Sequence, residues 1–320
     1  MFSRPATGSV AESQRIIALR KIYLRAVSIP MVNVEQLWRD YTAFETATNA
    51  NLAKKFTEDK SREYMNARRV AKEHEVATKG INRNQPAVPF VSLSGVGSSS
   101  STEQLRQLRL WKRYINWEKA NPLQTDDNVT LARRVMFAYE QCLLCLGYYP
   151  HVWLEAVAYL QESSRGLGEK GEPTLCQLFA DEASNLYERA ITTLMHDSML
   201  VHFAYADFEE SRGNIEKVKQ IYQKMLSEKS VDPTLTYVQF MRFARRSEGI
   251  KAARQVFRQA REDTRCSYHI FIAAANMEYF CTKDSAIAFK IFELGLKKYG
   301  NNPDFVIKYV DFMSHLNGNT

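Results

Sequence analysis

Four glutamates recur at one place in a repeating pattern, and a recurring carboxylate is a residue type that could serve acid–base chemistry. Glu45, Glu118, Glu209 and Glu278 each follow a triplet of large side chains spaced at i, i+3 and i+6. Such spacing puts the triplet on one helix face, with the glutamate at its end. A fixed place beside an aromatic stripe predicts a structural role, in which each carboxylate takes an ion-pair or hydrogen-bond partner within its repeat, on an Arg or Lys of the second helix. Cys142-Leu-Leu-Cys145 has the spacing of a zinc or redox pair. A tetrahedral zinc site needs two further ligands, and no second pair of this kind follows. Burial as small apolar residues in a Leu-rich helix is the expectation. Gly95-x-Gly97 has no preceding strand and no following P-loop lysine, so it reads as linker. Asn128-Val129-Thr130 fits a glycosylation sequon but reads as a helix start, and the six histidines are dispersed. The chain thus offers no catalytic, cofactor-binding or metal-ligating residue, and it reads as a protein without enzymatic activity or cofactor.

The elements that carry these glutamates come in pairs. The first helix of each pair holds the stripe: Trp38/Tyr41/Phe44-Glu45 and Trp111/Tyr114/Trp117-Glu118. Weaker copies are Trp153/Ala156/Tyr159, His202/Tyr205/Phe208-Glu209, Tyr237/Phe240/Phe243, Phe271/Ala274/Met277-Glu278 and Val306/Tyr309/Phe312. The last four copies begin 35, 34 and 35 residues apart. The second helix carries a small residue, a branched aliphatic, an aromatic and another small or apolar residue. Examples are Ala183-x-x-Leu186-Tyr187 with Ala190, Val218-x-x-Ile221-Tyr222 with Met225, Ala253-x-x-Val256-Phe257 with Ala260, and Ala288-x-x-Ile291-Phe292 with Gly295. A period near 35 accommodates two helices of about a dozen residues and two turns. Neither helix buries its stripe alone; the large residues are expected to face the small ones, where Ala190 or Ala260 lets backbones approach, with the next hairpin covering the rest. The fold class is all-α, an α-solenoid of antiparallel helix hairpins. Asp232-Pro233 and Asn302-Pro303 place a capping side chain before a proline at the first helical position and so fix the phase.

The chain has 320 residues, 45% of them apolar. No run approaches the roughly 20 apolar residues of a membrane span, and no membrane or small-molecule partner is expected. Five scattered cysteines suit a reducing compartment. The formal charge is +7, with 15 basic against 9 acidic residues over 1–84 and 10 against 7 over 251–320. Arg245, Arg246, Lys251, Arg254, Arg258, Arg261, Arg265, Lys297 and Lys298 could line helices of the later repeats, although solvated faces are the default reading.

The pattern lapses over 82–104, which is rich in Gly and Ser. The expected organisation is the end of an N-terminal array over 1–81, a flexible linker over 82–104 and a C-terminal array over 105–320. Residues 14–26 read as a second helix without a first, and 304–316 as a first without a second, so both arrays are expected to be cut. A long helix is expected over about 57–80, and a loop over Ser163–Thr174, where three glycines fall.

The two signatures resemble half-a-TPR (HAT) repeats of RNA-processing proteins. Longer stretches are more specific: Tyr64–Glu73, Leu110–Lys119, Arg134–Leu143, Phe203–Arg212, Phe243–Arg246 with Arg261–Arg265, and Phe289–Gly300. These resemble the suppressor-of-forked family, the large repeat subunit of cleavage stimulation factor. The resemblance implies a nuclear scaffold for pre-mRNA cleavage and polyadenylation, with partners in that machinery and RNA reached mostly through other subunits. It also implies a homodimer through the C-terminal array, 105–320. The alternative is a HAT protein that binds RNA directly through basic helix faces, or one that acts in splicing or ribosome assembly. Trp38, Tyr41, Phe44, Glu45, Trp111, Tyr114, Trp117, Glu118, Trp153, Tyr187, Ala190, Tyr205, Glu209, Tyr222, Phe257, Ala260, Phe292 and Tyr309 are the structural repeat positions.

Overall fold

The computed structural model describes residues 9–89, 99–229 and 232–317, and among these the regular structure is entirely helical. Contacts group the chain into two compact units, 1–147 and 148–320. The first unit contains α1 (Ser9–Ala26), α2 (Val34–Thr48), α3 (Ala50–Thr78), α4 (Ser99–Lys119) and α5 (Asn128–Leu146). The second contains α6 (Pro150–Glu169), α7 (Pro173–Thr192), α8 (Met199–Ser211), α9 (Ile215–Ser227), α10 (Pro233–Glu248) and α11 (Ile250–Glu262). It continues with α12 (His269–Asn276), a π-helical turn (Met277–Thr282), α13 (Ser285–Tyr299) and α14 (Pro303–Asn317).

Sequential helices pair as hairpins: α2 with α3 and α4 with α5 in the first unit; α6 with α7, α8 with α9, α10 with α11 and α12 with α13 in the second. Within each unit the hairpins then pack on their neighbours, as α3 does on α4 and α9 on α10. The first helices also meet one another directly, as α6 does α8, α10 does α12 and α12 does α14. That is the stacking of a solenoid, in which each stripe is buried by its own hairpin and by the preceding one. Caps set the phase: Asp232 accepts from the Thr234 amide at 2.8 Å, and Asn302 accepts from the amides of Asp304 and Phe305 at 3.0 and 3.2 Å. Both satisfy donors that a helix start leaves open.

Two local expectations give way. Of the expected linker, residues 90–98 lie outside the described residues, but α4 already begins at Ser99, so the run up to 104 is helical. Its Gln107 is buried, donates to the Gly80 carbonyl at 3.1 Å and accepts from the Asn82 amide at 3.0 Å, which ties the segment after α3 to α4. The Ser/Thr run is the first turn of an amphipathic helix, a distinction composition does not make. The loop expected over Ser163–Thr174 shrinks to the short turn 170–172, because α6 runs on to Glu169. Gly168 serves close approach: a Cβ there would sit 3.3 Å from the Cys176 sulfur of α7, while Ser164 donates to the Cys176 carbonyl at 2.7 Å.

Candidate functional site

All four recurring glutamates are buried, at 1–3% exposure, so each carboxylate must find its partners inside the protein. Glu45 receives two hydrogen bonds from the Arg20 guanidinium of α1, at 2.7 and 2.8 Å. Glu278 receives two from Arg254 of α11, at 2.7 and 2.9 Å. Glu209 accepts from the Ser184 hydroxyl of α7 at 2.5 Å, with Asn214 at 2.5 Å and Arg212 at 3.5 Å completing its shell. In these three cases the partner lies on the second helix of the preceding repeat, one residue after the small or apolar residue that opens its signature. Glu118 bonds within its own hairpin, to Arg134 of α5 at 2.9–3.2 Å and to the Tyr114 hydroxyl at 3.2 Å. The pairing expected from sequence, with an Arg or Lys on the second helix of the same repeat, is found for Glu118, while Glu209 is met inside its repeat by the loop residues Asn214 and Arg212. A carboxylate at the end of the stripe reaches backward because the stripe itself is covered by the preceding hairpin.

The interfaces without a glutamate support the same register. On α10 the position is Ala244, and the corresponding Lys219 of α9 bonds instead to Glu248 at 2.5 Å and Glu216 at 2.9 Å. On α14 it is Met313, and the matching position of α13 is Phe289, whose ring meets Phe312 edge-on at 5.7 Å. Charge, where present, is matched across the junction.

The rings follow the same geometry. Tyr187 stacks on Tyr205 at 5.1 Å, Tyr222 on Phe240 at 5.0 Å and Phe292 on Tyr309 at 5.0 Å, while Phe257 meets Phe271 edge-on at 5.5 Å. In the first unit Tyr23 of α1 packs on Tyr41 and Phe44, and Trp38 stacks on Tyr64 at 4.3 Å. Trp111 and Trp153 are buried, Trp117, Trp38, Phe44 and Tyr309 are half-buried, and Ala190 and Ala260 are fully enclosed. Burial pushes the Tyr187 and Tyr114 hydroxyls up to about 12 and holds His202 below its ordinary value. Such offset and edge contacts are the preferred aromatic arrangements.

Cys142 and Cys145 are both buried, and burial raises the Cys145 thiol, which lies 3.7 and 3.6 Å from the carbonyls of Asn82 and Arg83. Within the first unit a cleft of about 880 Å³ is lined by His74, Arg83, Tyr114, Glu118, Arg134 and Phe137. Its Glu118, Arg134 and Tyr114 are committed to one another, and burial holds His74 toward the neutral form. Sequence reasoning passed over the π-helical turn, which places Glu278 at its start and leaves Phe280 55% exposed. The two aromatics and two small residues around it carry no signal that tells a π turn from an α turn.

The solenoid geometry matches a solved structure, the crystal structure of CstF-77, with a TM-score of 0.56 over 95% of this chain and 59% of that one, at 20% identity. That likeness concerns the fold. By sequence, the chain is 48% identical to the protein suppressor of forked of Drosophila melanogaster, over 98% of this chain and 44% of the relative. It is 35% identical to cleavage stimulation factor subunit 77 of Arabidopsis thaliana, over 98% of this chain and 39% of that one. The mRNA 3'-end-processing protein rna14 of Schizosaccharomyces pombe is 31% identical over 99% and 46%. The chain thus spans less than half the length of these relatives. The family model described as suppressor of forked protein matches residues 1–320, and the chain belongs to the suppressor of forked family.

Proposed function

We propose that this chain is a non-catalytic scaffold in nuclear pre-mRNA 3'-end cleavage and polyadenylation, presenting its helix faces to other processing factors. The observation that carries the reading is the likeness, across nearly the whole chain, to relatives named for cleavage stimulation and mRNA 3'-end processing. The buried polar chemistry agrees with it. The four carboxylates that could have served acid–base work are held by partners inside the fold, and Glu45, Glu209 and Glu278 thereby join successive repeats. What remains for function is surface.

The scaffold is proposed to form a homodimer through 105–320, and to meet RNA mostly through the subunits it gathers. A two-fold dimer duplicates every partner site, so bivalent partners gain from effective concentration. Light scattering at tens of micromolar tests the dimer, a clean monomer counting against it. Affinity capture from nuclear extract tests the role: recovery of polyadenylation factors is the expected result, and recovery of splicing factors alone would replace it.

A further inference from the structure

The hairpins of the second unit differ sharply in charge. The α6–α7 hairpin, 150–192, holds three basic and seven acidic residues, whereas α10–α11, 233–262, holds seven basic and two acidic. The excess on α11 is ordered. Lys251, Arg254, Arg258 and Arg261 occupy one set of repeat positions, counted from the Ala253 that opens its signature. At 100° per residue these four lie within a sector of about 80° on one side of the helix, away from the core residues Val256 and Ala260.

The same four positions on the sister helices are Asp181, Ser184, Glu188 and Ile191 on α7; Glu216, Lys219, Gln223 and Leu226 on α9; and Ala286, Phe289, Glu293 and Leu296 on α13. Apart from the position of Arg254, where α9 also carries Lys219, packing therefore asks for no cation there. Arg254 is committed to Glu278, but Lys251, Arg258 and Arg261 are exposed and form no hydrogen bond or ion pair among the described residues. Three like charges along one face repel one another unless an anion lies on them. The π-helical turn bonded to Arg254 carries an aromatic, Phe280. Glu278 and Cys281, at either side of Phe280, are tied to the same hairpin, by Arg254 and by Arg245 donating to the Cys281 carbonyl at 3.4 Å. The turn so anchored leaves the Phe280 ring 55% exposed.

We infer that Lys251, Arg258 and Arg261 of α11, together with Phe280, form a contact site for single-stranded RNA, the cations on phosphates and the ring on a base. Phosphate-tracking cations with a ring for stacking are the two components of sequence-tolerant single-strand binding. An acidic protein segment would use the cations and leave the ring idle, which is why RNA is favoured. The site goes beyond the scaffold reading and does not depend on dimerisation.

The test is fluorescence anisotropy of a labelled single-stranded RNA of mixed sequence with the full chain, titrated over about 50 to 200 mM salt. Three variants are compared: Lys251→Gln/Arg258→Gln/Arg261→Gln; a charge-matched control, Lys55→Gln/Arg62→Gln/Lys79→Gln, in the first unit; and Phe280→Ala. Circular dichroism verifies that each keeps its helices, as exposed glutamine should allow. With three phosphate contacts at about 0.7 each, the stripe variant should flatten the slope of log affinity against log salt by about 2, and the control should leave most of the slope in place. Phe280→Ala should weaken RNA binding about tenfold and leave inorganic polyphosphate binding unchanged. Wild-type protein that fails to bind RNA at the lowest salt, equal losses in stripe and control variants, or a stripe that takes polyglutamate in preference to RNA would each overturn the assignment.

Discussion

Two junctions of the second unit share one register and differ in chemistry. Where α8 meets α7, the stripe begins with His202, and Glu209 takes its cross-repeat bond from the neutral Ser184. Where α12 meets α11, the same two places are Phe271 and Arg254, and Glu278 is held by a bidentate guanidinium. Both carboxylates are buried to the same degree. The difference teaches that the repeat fixes where a carboxylate lies but leaves its partner free to vary, provided each carboxylate oxygen finds a donor. At the α7–α8 junction the missing charge is replaced by Asn214 and Arg212 from the loop of the same hairpin.

The comparison yields a graded series, read as opening free energies of α8 and α12 amides by native-state hydrogen exchange. The largest effect is expected from Phe257→Ala, which removes the ring packed against Phe271 and leaves a cavity worth about 3 kcal/mol. Next is Arg254→Met, which strands Glu278. A fully enclosed pair broken this way costs about 3–5 kcal/mol, and a guanidinium 36% exposed places this one nearer ~2 kcal/mol. Ser184→Ala should cost only about 1 kcal/mol, because Glu209 keeps two other donors.

The fourth prediction concerns pH. Burial lowers the folded-state pKa of His202, so the unfolded chain takes up its proton first as pH falls through about 6.5. Stability from this site is complete above that value and is lost below it. Protection of α8 should fall between about pH 7.5 and pH 5.5, and His202→Phe, which copies the α12 junction, should abolish that loss. Smallest of all is Arg246→Gln, which breaks a half-exposed pair with Glu210 and should change protection by under about 1 kcal/mol.

Much of this junction chemistry was legible in the chain. The 35-residue spacing of Tyr187, Tyr222, Phe257 and Phe292 marks helices whose rings are now found against the next repeat, and the proline caps mark the starts of α10 and α14. Which helix each glutamate reaches was not legible. Arg254 lies before Glu278 and Arg134 after Glu118, and a single sequence gives both directions equal standing until the helices are stacked. Gly168 reads as a loop residue because glycine marks a loop and a close helix approach with the same letter. The cations of α11 were visible one by one. Their alignment into a sector became significant only beside the sister helices.

The central claim is that the buried Glu45, Glu209 and Glu278 join successive repeats. Its most direct test is a double-mutant cycle on Arg254 and Glu278, using Arg254→Met, Glu278→Leu and the pair together, read by amide exchange of α12. We predict that Arg254→Met alone lowers protection by about 2 kcal/mol and that the double variant recovers at least about 1 kcal/mol of it. Effects that add to within about 0.3 kcal/mol would contradict the claim and leave Glu278 without a role in holding the repeats together.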